Sequence, residues 1–137
     1  MTTYDPLYVQ YLAYFNRERD YFECHEVMEE LWLEEGRSPL YQGLLQVAVG
    51  LYHARNDNVS GAIKLLNQAL DKLPRYPDHK LGIDLDELVR QCRAYVEQLE
   101  RSGDDSGGPF AFYDLDIAIT DPTLALLVDE WEGEHDD

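Results

Sequence analysis

Apolar residues return every three or four positions through most of this chain, and most stretches that keep this rhythm open on a residue able to cap a helix. Asp5-Pro6 stands ahead of Leu7, Tyr8, Tyr11, Leu12 and Phe15, which predicts a first helix over about 6–17. Asp20 opens a second, with Tyr21, Phe22, Met28, Leu31 and Trp32, closing near Gly36. Ser38-Pro39 repeats the start signal for a third, in which Leu40, Leu44, Val47, Ala48, Leu51 and Tyr52 form the broadest apolar surface, up to Arg55. Asn56-Asp57-Asn58 breaks that run, and Asn58 caps a fourth helix with Ala62, Leu65, Leu66, Ala69, Leu70 and Leu73, stopped at Pro74. Helices three and four are expected to pair as an antiparallel hairpin.

A loop with Pro74 and Pro77 leads to Asp84, whose spacing from Glu87 resembles a capping box and opens a fifth helix through Leu88, Tyr95 and Leu99. Ser102 to Pro109, rich in glycine, serine and aspartate, reads as a linker. Leu115, Ile117 and Ile119 then alternate with Asp116 and Ala118 as in an extended segment. Asp121-Pro122 starts a last short helix with Leu124, Leu127, Val128 and Trp131, and Glu132 to Asp137 is an acidic tail. The expected fold is all-α: a compact bundle of about five helices with a central antiparallel hairpin and a C-terminal extension. Residues 1–101 would form the helical core, and 102–137 an acidic linker plus a segment packing on it through Phe110, Phe112, Tyr113 and Trp131.

With 137 residues the chain suffices for one core, burying roughly two thirds of the surface its unfolded form exposes. Its charge narrows the partners. Lys64, Lys72 and Lys80 are the only lysines, and the formal charge is −17, which argues against binding DNA or RNA because phosphate contacts rest on clustered lysine and arginine. Self-repulsion of that size favours a host with a salty cytoplasm, where screening acts over about 3 Å at 1 M. Cys24 and Cys92 have neither metal-ligand nor disulfide spacing and read as reduced core thiols. No secretory pattern and no membrane-length apolar run occurs, so the expectation is a cytoplasmic protein without a membrane partner.

Polar residues on two core helices carry whatever chemistry there is. His25, Glu29 and Trp32 share a face of the second helix, with Glu26 on its shoulder, while Glu23 and Glu30 point toward solvent. Gln42, Gln46, Val49 and His53 align along the third. Packed antiparallel, the two seams would gather His25, Glu29, Gln46 and His53, with Gln42 and Glu26 nearby.

Such a cluster has a structural reading, in which a buried His/Glu/Gln network fixes helix register, and two functional ones, a pocket without metal and a metal site. In the metal reading His25, Glu29 and His53 hold a divalent metal with an open position and Glu26 acts as general base, as in a small hydrolase. The spacing lacks the second histidine of the zincin motif, and the third helix offers no carboxylate for a bundle-type di-metal site. No Gly-x-Ser-x-Gly occurs, and the only glycine-rich stretch is acidic. The leading expectation is an interaction or scaffold module with a protein partner or a second copy; the alternative is the metal-dependent enzyme. If the network is buried, removing Glu29 or His53 should cost about 1–3 kcal/mol.

Tyr21-Phe22-Glu23-x-His25-Glu26-x-x-Glu29-x-x-Trp32, then Gln42-Gly43-Leu44-Leu45-Gln46, His53, Asn58, Gly61-Ala62 and Leu65-Leu66, resembles the prokaryotic family known as domain of unknown function 309. The likeness covers about Phe15 to Leu73 and extends weakly to Gly82-Ile83-Asp84. It implies a small all-helical domain and brings no reaction, substrate or cofactor. His25, Glu26, Glu29, Trp32, Gln42, Gln46 and His53 match the family's polar signature in no assigned role. After Ser102 the chain departs from the pattern, and its extension would cover a groove of the core. A fainter similarity of Ala62, Leu66, Ala69 and Pro74 to tetratricopeptide hairpins reads as convergent packing, since stacking needs about three repeats.

Overall fold

Each of the six α-helices among the described residues starts where a side chain takes up an amide that its first turn leaves bare. In the computed structural model, which describes residues 4–102 and 109–132, these are α1 (Pro6–Ala13), α2 (Tyr21–Glu34), α3 (Pro39–Arg55), α4 (Val59–Lys72), α5 (Leu85–Ser102) and α6 (Pro122–Glu130). Asp5, Asp20, Ser38, Asn58, Asp84 and Asp121 accept from the backbone N–H of Leu7, Glu23, Leu40, Gly61, Glu87 and Thr123 at 2.9 to 3.2 Å. The capping residues read from the sequence thus set the helix starts, and the fold is all-α as expected, with no strand among the described residues.

One element departs from expectation. The first helix does not run regularly to residue 17; it widens into a π-helical turn, Tyr14–Glu18, closed by the left-handed Arg19 (φ 56°) and by the Asp20 amide donating to the Tyr14 carbonyl at 2.9 Å. The change matters because Asn16, Arg17 and Arg19, all on or beside this turn, reach the C-terminal segment.

α3 lies between α2 and α4 and carries more buried residues than either neighbour. It approaches α4 closely at Gly50, where a β-carbon would stand 2.8 Å from Leu66 Cγ. The buried phenol of Tyr11 is satisfied by donating to the Leu44 carbonyl at 2.7 Å. Cys24 and Cys92 are free, buried thiols, and burial pushes Cys92 up to about 12.

Residues 110–121 run extended, with Leu115 and Ile117 buried and Asp116 and Ala118 exposed, as the alternation requires. Only an isolated antiparallel bridge, Ile83 to Ile119, pairs this segment as a strand would. Side chains of the core serve most of the rest: Arg19 donates to the Leu115 carbonyl (2.6 Å), Gln91 to that of Asp116 (2.9 Å) and Tyr95 to that of Tyr113 (2.7 Å). Arg17 then donates to the carbonyls of Val128 and Trp131 at the end of α6. These bonds hold the extension against the helices, while of the linker expected at 102–109 and the tail at 132–137, residues 103–108 and 133–137 lie outside the described residues. No helix among the described residues is long and apolar enough to cross a membrane.

Candidate functional site

α2 and α3 run antiparallel through the tight turn at Gly36 and Arg37, both at positive φ, and their register sets Phe22 against Tyr52 with ring centroids 6.1 Å apart. His25 follows one turn further along α2, with its ring 6.2 Å from that of Phe22. Tyr21, Phe22, His25, Val49, Tyr52 and His53 line a shallow cleft of about 150 Å³. Its outer wall is unusual for apolar side chains, since Phe22 is 50% and Tyr52 38% exposed.

The histidine of α2 is bracketed by carboxylates. His25 Nδ1 lies 3.2 Å from Glu26 Oε2 and Nε2 lies 3.8 Å from Glu29 Oε1, and one ligating atom from each of the three residues falls within 4.8 Å of the others. Both glutamates are about half exposed (51% and 49%), so this part of the cluster is a surface group and not the buried network expected from the sequence. The reason is geometric: α2 turns Cys24, Met28 and Leu31 to the core, and the helical step carries His25 and Glu29 outward.

His53 points to the same cleft, but its polar contact is with α4. The Asn58 carboxamide caps that helix through Oδ1, which leaves its NH₂ to donate to His53 Nδ1 at 3.2 Å. Nδ1 is then an acceptor, and in the neutral ring the proton sits on Nε2. Gln46 is likewise drawn away: it is buried, and its Nε2 donates to Gln68 Oε1 on α4 at 3.0 Å. α3 is packed on both sides, so its polar stripe faces two neighbours and each side chain pairs with the one it reaches. Trp32 sits at the far end of the seam, half-buried, with the Arg37 guanidinium 5.6 Å from its ring. Two polar atoms of the seam, Trp32 Nε1 and Gln46 Oε1, are buried without a hydrogen-bond partner among the described residues.

The seven residues singled out in the sequence therefore divide. His25, Glu26 and Glu29 come together, His25 and His53 share the cleft, Gln46 belongs to the α3–α4 interface, and Trp32 and half-buried Gln42 lie toward the α2–α3 turn. Sequence reasoning missed Phe22 and Tyr52 by counting both as core. The signal was present: Phe22 precedes His25 by three positions and so shares its outward face, and Tyr52 adjoins His53.

Tyr21 joins the cleft to the extension. Its hydroxyl donates to Asp114 at 2.5 Å, and burial, followed by this bond, pushes its ionisation well above the ordinary tyrosine value. The Arg55 guanidinium lies 4.7 Å from the Tyr21 ring and 5.2 Å from that of Phe112, with Asp114 at 3.4 Å.

Every residue of this cleft falls within one stretch that matches a family model. Residues 8–65 match DUF309, a domain of unknown function. The matched segment runs from within α1 through α2 and α3 to the first half of α4, and the extension lies outside it. The chain is also similar to the uncharacterised protein YpuF of Bacillus subtilis, 38% identical over 104 residues that cover 71% of this chain and 59% of YpuF. An uncharacterised protein of Aquifex aeolicus is 31% identical over 83 residues, covering 58% of this chain and 24% of that protein. The chain spans less than two thirds of either relative, and neither description carries an activity that could be borrowed.

Proposed function

We propose that this chain is an interaction module that docks a protein partner on the cleft between α2 and α3. The exposed Phe22–Tyr52 pair carries this reading: two aromatic rings share a surface that a lone monomer gains nothing by leaving wet. The cleft's 150 Å³ falls below the roughly 300–1,000 Å³ typical of small-molecule sites, so a protruding side chain fits it better than a cofactor does. The test is light scattering and partner capture in high salt with the full chain and its Phe22→Ala variant. A partner or self-association lost in the variant is the expected result; a strict monomer retaining nothing in either form counts against the module.

The acidic surface belongs to the same proposal, as the adaptation of a cytoplasmic protein to a salt-rich host. The thermal midpoint is then expected to climb from about 0.1 M to about 2 M KCl as repulsion among the acids is screened. A flat profile would remove the halophilic reading.

One observation favours a second reading, a divalent-metal site in a hydrolase-like enzyme: the convergence of His25, Glu26 and Glu29 within 4.8 Å. His53, engaged with Asn58, is replaced in that set by Glu26. Each imidazole nitrogen already faces a carboxylate, so binding an ion requires rearranging the group. Elemental analysis of protein purified without chelator decides it, and less than about 0.1 metal per chain after addition of Zn, Mn or Fe eliminates the metal site.

A further inference from the structure

We infer that the occupant of the α2–α3 cleft is an arginine side chain, presented by a basic segment of a partner protein. This inference rests on the docking face proposed above and names its ligand. His25, Phe22, Tyr52 and His53 form a continuous arc of four rings, with successive centroids 6.2, 6.1 and 6.1 Å apart. Aromatic faces attract a cation held over them, and a planar guanidinium sheds water and stacks more readily than an ammonium. At the His25 end of the arc stand Glu26 and Glu29, half exposed and 3.2 and 3.8 Å from the imidazole nitrogens, as carboxylates to pair with a guanidinium.

Charge complementarity selects the partner. A chain of formal charge −17 repels acidic segments and attracts basic ones, and the cleft volume of about 150 Å³ admits one side chain at a time. The molecule already uses this mode of recognition within itself. Arg55 lies against Tyr21 and Phe112 and is paired with Asp114, so two rings and a carboxylate bind a guanidinium beside Tyr21. Asp114 neutralises that arginine, and Glu26 and Glu29 stand beside His25 as carboxylates open to a second one.

The test is a titration of the full chain with a fluorescein-labelled peptide in which two arginines flank a leucine, followed by anisotropy and by NMR shifts. Shifts centred on Phe22, His25, Tyr52 and His53 are expected. Replacing arginine by neutral, isosteric citrulline should weaken binding about 5- to 30-fold, the range of a partly desolvated cation–π contact. Phe22→Ala should cost as much, Glu26→Gln with Glu29→Gln should weaken binding mainly at low salt, and Leu126→Ala, on exposed α6, should change nothing. Citrulline binding equally well at the same residues would overturn the arginine and leave the docking face standing. Shifts scattered over the acidic helices, or no binding of any peptide, would overturn the arginine as well, and partner capture with Phe22→Ala then judges the docking face independently.

Discussion

Asn16 grips Ile117 by both of its backbone polar groups: the side-chain Nδ2 donates to the Ile117 carbonyl at 2.8 Å, and Oδ1 accepts the Ile117 N–H at 2.9 Å. One carboxamide thus does for a single residue what a neighbouring strand does in a sheet. The π-helical turn places Asn16 there, with Arg17 and Arg19 beside it on the same extension. Because two partly buried hydrogen bonds are lost together, Asn16→Ala is expected to destabilise the fold by about 1–3 kcal/mol. Hydrogen exchange gives the sharper readout: the Ile117 amide should lose protection while amides in α3 keep theirs. Uniform loss across both elements would show that the extension and core open as one unit.

The extension shows what could and could not be read from the chain. Alternation of Leu115 and Ile117 with Asp116 and Ala118 gave its extended form, and each helix start followed from a capping side chain at the expected position. The π-helical turn was not legible, because no residue type demands it; it arises where Asn16 and Arg19 find backbone partners about a hundred positions away. The candidate site was half legible for a related reason. Helical spacing places His25 with Glu29 on one face, but whether that face is buried depends on which side of α2 meets the core, and Cys24 and Met28 decide it. The fate of Gln46 depended on Gln68, a residue of the fourth helix that spacing within the third cannot see.

Burial changes the expected cost of removing the polar cluster. Glu29 is half exposed and within 3.8 Å of only a half-exposed histidine, so Glu29→Ala should shift stability by no more than about 0.5 kcal/mol. His53→Ala removes the acceptor of an exposed Asn58 contact and should cost about 1 kcal/mol or less. Urea unfolding of both variants measures this. A loss above about 2 kcal/mol in either would restore the buried network that the sequence alone suggested.

Close approach of α3 and α4 at Gly50 gives a prediction of opposite character. A methyl group at this position meets Leu66 Cγ at 2.8 Å and Cδ2 at 2.9 Å, and Leu66 is fully buried, so it has no open direction in which to move. Replacing an interior helical glycine by alanine normally gains about 0.5–1 kcal/mol, and overpacking costs about 1–3 kcal/mol. Overpacking wins, and Gly50→Ala should be less stable than the parent by about 1 kcal/mol. Thermal or urea denaturation that finds the variant more stable would mean that the two helices can slide apart at no cost.

The Tyr4 hydroxyl donates to Asp121, the residue that caps α6, and this bond titrates at both ends of the pH scale. Accepting it, together with the backbone amide of Thr123, holds the Asp121 carboxyl below the ordinary value of 3.8. The folded value is depressed, so the contribution is present above 3.8 and disappears as pH falls through the folded value. The same bond, ahead of desolvation, raises Tyr4 from 10.0 to about 12. A raised folded value means that the contribution is whole below 10.0 and is lost as pH climbs through about 12. The stability difference between the parent and Tyr4→Phe should therefore form a plateau from mildly acidic pH to about pH 10 and vanish beyond each edge. Taking a difference matters, because other carboxylates and phenols titrate at the same extremes and cancel between the two proteins. A difference that stays constant into strong acid would show that the hydroxyl stabilises the protein independently of the ionised carboxylate, since phenylalanine keeps the ring that lies 6.1 Å from Tyr8.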